Sequence, residues 1–313
     1  MSDLFKVTSS PHIRSKMSTQ KIMLCVIIAL LPATIFGIIN FGPRALGVVV
    51  VTIASCLVSE ALYNKIAKRK QTVGDLSSIV TGLLLALNLS HTLPFWMCIL
   101  GGAFAIVVVK MIFGGLGQNF MNPALGARCF LLLAFTGPMT SFTFDGVTGP
   151  TPLGIIKAGE LYGDTLAMFT GRIAGTIGET SVIALLIGAI FLLAMGIIDL
   201  KIPAAYIISF VVFIVLFGGH LTTGDLGTFV LQQVCGGGLI LGAFFMATDY
   251  VTSPITPRGK IIFGITCGIL LGIFRMFGSM AEGCSYSIIF ANMLVPLIER
   301  FTIPKPFGKG GEK

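Results

Sequence analysis

Four short polar stretches interrupt a chain that is otherwise strongly apolar, and they hold most of the side chains able to do chemistry. In the first, 115–124 (GLGQNFMNPA), the amides Gln118, Asn119 and Asn122 stand among glycines just ahead of an apolar run. Pro123 suits the first turn of a helix, and Asn122 is placed to cap it. Backbone N–H groups exposed by glycine beside a helix start suit a polar ring or a phosphate; a purely structural turn with its cap reads equally well. Arg128 follows one turn into the apolar run. A guanidinium there is costly to bury and needs a partner.

The second stretch, 145–153 (DGVTGPTPL), brings Asp145, Thr148, Gly149 and Thr151 together among turn formers. A threonine hydroxyl is a poor nucleophile unaided, so this is no self-contained catalytic triad. A threonine flanked by Gly and Pro is accessible to a modifying enzyme, although spacing alone also reads as an ordinary turn. The third, 175–180 (GTIGET), joins Gly175 and Gly178 to Glu179 and Thr180. It reads as an N-terminal cap with a dipole-favoured acid, or as part of the same site as Thr151. The fourth, 246–260, sets Asp249 beside Thr248, Thr252, Ser253 and Arg258. These groups could bind a polar cofactor or an ion; a solvated loop with an Asp–Arg pair is the alternative.

Other candidate ligands are scattered. The seven cysteines include no C-x-x-C pair and mostly fall inside apolar runs, where they read as small buried residues. His12, His91 and His220 are far apart at segment ends and read as interfacial residues.

The elements that position these groups follow from composition. Of 313 residues, 55% are hydrophobic and 11% charged, with a mean hydropathy of +0.95, against roughly 25% charged in a soluble domain. That excludes an ordinary soluble enzyme, a disordered chain and a nucleic-acid binder. The expected fold is an all-α polytopic membrane protein, since backbone inside lipid must satisfy its own hydrogen bonds. A transmembrane barrel would alternate apolar and polar residues, and these segments are apolar on every face. Because the first 20 residues are polar, no cleavable signal peptide is expected.

Ten apolar segments are expected: 22–40, 45–67, 76–90, 93–113 and 123–136, then 177–198, 203–218, 229–248, 261–278 and 283–301. With the N-terminus in the cytoplasm, sixteen Lys and Arg fall on the cytoplasmic side and four (Arg44, Lys157, Arg172, Arg275) outside, leaving Arg128 alone within a span. This bias puts both termini in the cytoplasm and explains the net charge of +8 without nucleic acid. Five is an odd number, so the second group of five must insert upside down, as an inverted repeat. Segment 76–90 has fifteen residues, too few at about 1.5 Å each for roughly 30 Å of hydrocarbon. Its counterpart 229–248 contains Gln232, Gln233 and the run Gly236, Gly237, Gly238. Both read as broken or re-entrant helices, and matched broken helices in two halves point to a central site. The expected organisation is a cytoplasmic segment 1–21, a first five-helix repeat 22–136, an extracytoplasmic loop 137–174, a second repeat 175–301 and a cytoplasmic tail 302–313.

Together, 10–13 (SPHI), 115–124, 145–153, 175–180, 246–260, Glu282-Gly283 and 292–296 (NMLVP) resemble the RnfD family, the D component of the Rnf complex, in order and over essentially the whole chain. The B component of the sodium-pumping NADH:quinone reductase is its paralogue, typically with a longer N-terminus. The resemblance implies a multi-pass protein of the bacterial cytoplasmic membrane, in contact with membrane lipid and with the other Rnf complex subunits, RnfA, RnfB, RnfC, RnfE and RnfG. It implies electron transfer within an ion-translocating ferredoxin:NAD+ oxidoreductase, coupled to Na+ or H+, with no activity in the isolated chain. It also implies FMN joined by a phosphoester to the last Thr of an Asp-x-x-Ser/Thr-Gly-Ala-Thr motif by a separate flavin transferase. Asp145, Thr148, Gly149 and Thr151 match that motif, with Pro150 where Ala is usual, so attachment carries over to Thr151. A second, non-covalent flavin, riboflavin or FMN, is implied within the bundle. The isoalloxazine (the flavin ring) is expected against Gly175, Gly178, Glu179 and Thr180. Two other functions compete: a stand-alone inverted-repeat channel or transporter for a small polar solute, and a scaffold protein without redox role. Fold alone does not separate them; the Thr151 motif does, because a channel has no use for a flavinylation signal.

Overall fold

The computed structural model describes residues 17–144, 147–179, 181–218, 225–278 and 281–304. Ser10–Ile13 of the resemblance, His12, Asp145, Thr180 and His220 therefore lie outside the described residues, as does the side chain of Thr148.

Helix α1 (Thr19–Phe41) starts at Ser18, whose hydroxyl accepts from Lys21 N at 3.3 Å, and stops at Gly42, where φ is 77°. Pro43 then fills the first turn of α2 (Pro43–Ile66), a position where its missing N–H costs nothing. A single 3-10 turn (Val73–Asp75) leads into the short α3 (Ser77–Leu87), buried at ten of its eleven positions. Helix α4 (Phe95–Ala103) continues in π-helical form through Phe104–Met111. Helix α5 (Pro123–Ala134) closes this first group.

The stretch 137–174 is not a plain loop. It holds the end of α6 (Thr136–Thr140), a hairpin of β1 (Phe142–Phe144) and β2 (Val147–Gly149), then α7 (Pro152–Lys157) and α8 (Thr165–Thr170). Single turns capped by Thr151 and Asp164 carry no apolar periodicity long enough to announce themselves. The segment is tied down at distant points: Gln232 receives Tyr162 N on Oε1 (3.1 Å) and donates to Tyr162 O (2.7 Å).

The second group comprises α9 (Val182–Ala194), α10 (Lys201–Phe217), α11 (Leu226–Cys235), α12 (Leu239–Leu241, running on as π-helix Gly242–Met246), α13 (Pro257–Phe277) and α14 (Cys284–Thr302). Helices α11 and α12 meet at 57°, with Gly237 and Gly238 at φ 63° and 68°, backbone that glycine adopts without penalty. The break expected in 229–248 is present, at the three glycines. Among the described residues, α1, α2 and α13 are each long and apolar enough to cross a membrane, and the bent α11–α12 pair passes the same test together.

Small residues set the packing. A Cβ at Gly188 of α9 would collide with Ala29 O of α1. Gly264, Gly268 and Gly272 of α13 face Ala205, Ser209 and Phe213 of α10. Close approach over small residues is how helices associate in lipid. The outward faces stay apolar, with Ile39, Val58, Ile208 and Leu216 exposed, the surface a bilayer would cover.

The start of α1 and the end of α14 both meet the loop between α12 and α13: Ile22 and Met23 line a cavity with Tyr250, and Thr256 Oγ1 donates to Thr302 Oγ1 at 2.8 Å. Asp199 and Lys260 (3.6 Å) meet there, as do Ile255 N and Glu299 Oε1 (3.1 Å). This is the basic end, with Lys201, Lys260 and Arg300. The opposite end holds the Thr151 segment.

Candidate functional site

Thr151 is the N-cap of α7, its Oγ1 accepting from Gly154 N at 3.3 Å. It is half-buried and stands on the rim of a cavity of about 340 Å3 whose wall includes Asn88, Arg128, Met139, Phe142, Thr176 and Glu282. A smaller adjoining pocket joins Thr151 to Gly175, Glu179, Gly236, Gly237 and Glu282. The structure thus brings two separately read stretches, 145–153 and 175–180, to one place.

Arg128 organises the floor. Its Nη1 donates to Asn88 Oδ1 (3.0 Å) and Ser285 Oγ (2.8 Å), and its Nη2 donates to Glu282 Oε2 (2.7 Å). Glu179 Oε1 is 3.1 Å from Nη1, an ionic contact without an aligned hydrogen, because both Nη1 hydrogens are already used. The partner that Arg128 required is therefore a pair of carboxylates plus two neutral acceptors. Glu179 does not cap the following helix; Ser181 does, accepting from Ala184 N at 3.3 Å.

Glu179 meets the helix break directly. The N-terminal end of α12 begins at Gly238, where an added Cβ would collide with Glu179 Oε1. On the other half-helix, Arg275 donates to Gly236 O (3.0 Å), Gly237 O (3.1 Å) and Gln233 O (2.5 Å). An acid at a half-helix N-terminus and a base at a half-helix C-terminus each oppose the local dipole. Counting Arg275 with the outside loops needs correction, since it is 2% exposed. Lys110 needs the same correction. It is 2% exposed, with Nζ donating to Glu60 Oε2 (3.1 Å), Ser77 Oγ (2.6 Å) and Ser78 Oγ (3.3 Å). Both side chains sit near helix ends, where hydropathy cannot tell an inward from an outward direction.

The remaining candidates gather elsewhere. Asn119, Asn122 and Asp249 line a second cavity at the basic end, enclosing about 100 Å3, with Lys110, Thr81, Phe244, Phe245 and Tyr250. Asn122 caps α5 as expected, accepting from Ala124 N (3.0 Å) and Leu125 N (3.4 Å). The alternative reading, a solvated loop with an Asp249–Arg258 pair, is not met among the described residues; Asp249 accepts from Thr252 Oγ1 (3.2 Å) and Val251 N (3.5 Å). Burial raises its carboxyl above the usual range.

Asn88, Glu282 and Ser285 were not singled out for the Arg128 site by sequence. Only Glu282 carried a signal, as an acid followed by Gly ahead of an apolar run.

Residues 6–308 match the model of the NQR2, RnfD, RnfE family. A relative from Acetobacterium woodii, the D component of the Na(+)-translocating ferredoxin:NAD(+) oxidoreductase complex, is 47% identical, over 96% of this chain and 95% of its own. The D component of the proton-translocating ferredoxin:NAD(+) oxidoreductase complex of Clostridium ljungdahlii is 39% identical, over 98% of this chain and 97% of its own. The D component of the ion-translocating oxidoreductase complex of Cronobacter sakazakii is 32% identical, over 97% and 99%.

Proposed function

The chain belongs to the NQR2, RnfD, RnfE family, and from that premise we propose that it is the electron-transferring D component of an ion-translocating ferredoxin:NAD+ oxidoreductase, carrying FMN on Thr151. The observation that supports this most is the shared cavity. Thr151 offers a half-buried hydroxyl at the rim of a space walled by Arg128, Asn88, Thr176 and Glu282 on one side and Leu132, Met139 and Phe142 on another. A polar edge opposite an apolar face is the donor set a flavin ring requires, so the residues fit the group.

Bound there, a flavin supplies the one- and two-electron chemistry. The protein's part is placement and electrostatics. Thr151 Oγ1 provides the tether, which keeps the carrier at its site in every redox state. Arg128, held by Asn88, Ser285, Glu179 and Glu282, presents a fixed positive charge to the cavity wall. Leu132, Met139 and Phe142 exclude water from the apolar face.

The cavity at the basic end, with Asn119, Asn122, Lys110 and Asp249, is where we place the second, non-covalent flavin. Its open space of about 100 Å3 requires lining side chains such as Phe244 and Phe245 to move aside. Two carriers at opposite ends of the bundle would let electrons cross the bilayer through this protein.

The bundle reads as two inverted five-helix repeats. Helices α1 and α9 pack together, as do α5 and α14, α2 and α4, and α10 and α13. In the first group the third member, α3, is short and continuous, and in the second it is broken between α11 and α12; a base from the fourth member, Lys110 or Arg275, reaches it in each. The basic end faces the cytoplasm of a bacterial inner membrane, with Thr151 outside, where a flavin transferase works. The other Rnf complex subunits, RnfA, RnfB, RnfC, RnfE and RnfG, are the proposed partners, and coupling to Na+ or H+ belongs to the assembled complex. The test is in-gel flavin fluorescence after denaturation: the wild-type chain should fluoresce and Thr151→Ala should not. A fluorescent Thr151→Ala band would remove the attachment site.

A further inference from the structure

One residue contacts a wall residue of each cavity. Asn88, on the wall of the Thr151 cavity, donates from Nδ2 to Met246 Sδ at 3.7 Å. Asn122, on the wall of the cavity at the basic end, donates from Nδ2 to Met246 O at 3.3 Å. Met246 is thus touched through its side chain from one cavity and through its backbone from the other, while itself 1% exposed. It ends the π-helical turn Gly242–Met246, closed by Ala247 N donating to Gly242 O at 2.7 Å. Such turns mark places where a helix departs from its regular ladder.

A second observation lies on α14, which packs against this π-helical turn. Asn292 is 3% exposed, and neither of its amide atoms has a hydrogen-bond partner among the described residues. It sits two turns along α14 from Ser285, which binds Arg128, on the same buried face. Arg128, Asn88 and Ser285, joined by hydrogen bonds, and Asn122, reached across Met246, are therefore a run of buried polar groups, with Asn292 a further buried amide on α14. A run of that kind would conduct protons or a small cation if nothing interrupted it, because buried polar groups recruit water when there is room for it.

We propose that Met246 is the septum that seals this run, so that electrons can cross the protein while protons and monovalent cations cannot. A thioether suits the task. It is apolar enough to break a chain of water, and it is held in place by a weak acceptor contact that its unbranched side chain can release. The seal rests on the reading that the two cavities open to opposite sides of a bilayer and not on the presence of flavin; the passage of electrons rests on the proposed function.

The test reconstitutes the full chain in liposomes containing a pH-sensitive dye and imposes a potassium diffusion potential with valinomycin. Covalent flavin content is measured on the same samples, so that loss of flavin and loss of the seal are scored separately. Met246→Ala should admit protons at least several-fold faster than the wild type, whereas Met246→Leu, which keeps the bulk, should stay tight. Equal tightness of Met246→Ala and the wild type would overturn the proposal, as would an equal leak through Met246→Leu. Should Met246→Ala not fold, Thr81→Cys decides the matter with Met246 intact, in a Cys25→Ser background. Thr81 lines the cavity at the basic end, and Cys25 is the one native cysteine among the seven that is not buried. A membrane-impermeant thiol reagent should then label the protein from the basic end alone. Labelling from the Thr151 side as well would overturn the septum.

Discussion

Glu282 Oε2 lies 2.7 Å from Nη2 of Arg128, a contact between residues 154 positions apart in the chain. With Glu179 on Nη1 of the same guanidinium, one base holds two carboxylates inside the bundle. Breaking a buried ion pair from one side leaves uncompensated charge, at a cost on the order of 3–5 kcal/mol. Arg128→Leu should therefore lower the melting temperature of the detergent-solubilised protein strongly. Arg128→Lys, which keeps the charge but not the fork of donors, should recover part of the loss. An unchanged transition in Arg128→Leu would mean that the cluster does not hold the site together.

Gly238 faces the same cluster from the helix break. Alanine there meets two penalties: a left-handed backbone at φ 68°, worth roughly 1–2 kcal/mol, and a methyl that collides with Glu179 Oε1. Gly196 has a similar φ of 65° with nothing within 4 Å of an added Cβ, so Gly196→Ala isolates the backbone cost. Thermal stability should fall more in Gly238→Ala than in Gly196→Ala. Equal losses would show that Glu179 yields freely to the methyl.

Covalent and extractable flavin should respond independently to changes at the two cavities. Asn119→Ala at the basic end should reduce the flavin released by acid while leaving the protein-bound fraction intact. Thr151→Ala should do the reverse. Quantifying both fractions by fluorescence checks this, and parallel loss in both variants would contradict two separate sites.

How much of this was legible in advance depended on distance along the chain. The Asn122–Pro123 helix start and the shortness of α3 are local features, and local spacing carried them. The glycine break was legible because three consecutive glycines have few other uses in an apolar segment. Charge pairing was not legible. Glu60 meets Lys110 across 50 positions and Arg275 meets the break across 42 or fewer, so nothing in either local sequence points to the other. A positive-inside count assigns every base near a span end to the nearest loop, and for Lys110 and Arg275 that hid two buried structural cations. The short helices within 137–174 escaped for a different reason. Their order comes from long-range anchors such as Gln232 on Tyr162, not from periodicity.

At the basic end, Asp199 accepts from Lys201 (3.0 Å) and lies 3.6 Å from Lys260 Nζ. The Lys201 hydrogen bond holds its carboxyl below the usual carboxylate range. A depressed folded-state pKa contributes stability above the unfolded value and loses it as pH falls through the folded one. The group is well exposed, so the contribution is limited to about 0.2–1 kcal/mol. Asp199→Asn should lower the melting temperature slightly at neutral pH and converge on the wild type at strongly acidic pH. A gap that widened on acidification would have the wrong sign.

The most direct measurement is intact-mass analysis of the chain made with and without an active flavin transferase, followed by peptide mapping. With the transferase, the mass should rise by one FMN less water, and the added mass should sit on the peptide containing Thr151. A chain that stays at its unmodified mass beside an active transferase, or that carries the addition on any other peptide, would contradict the account.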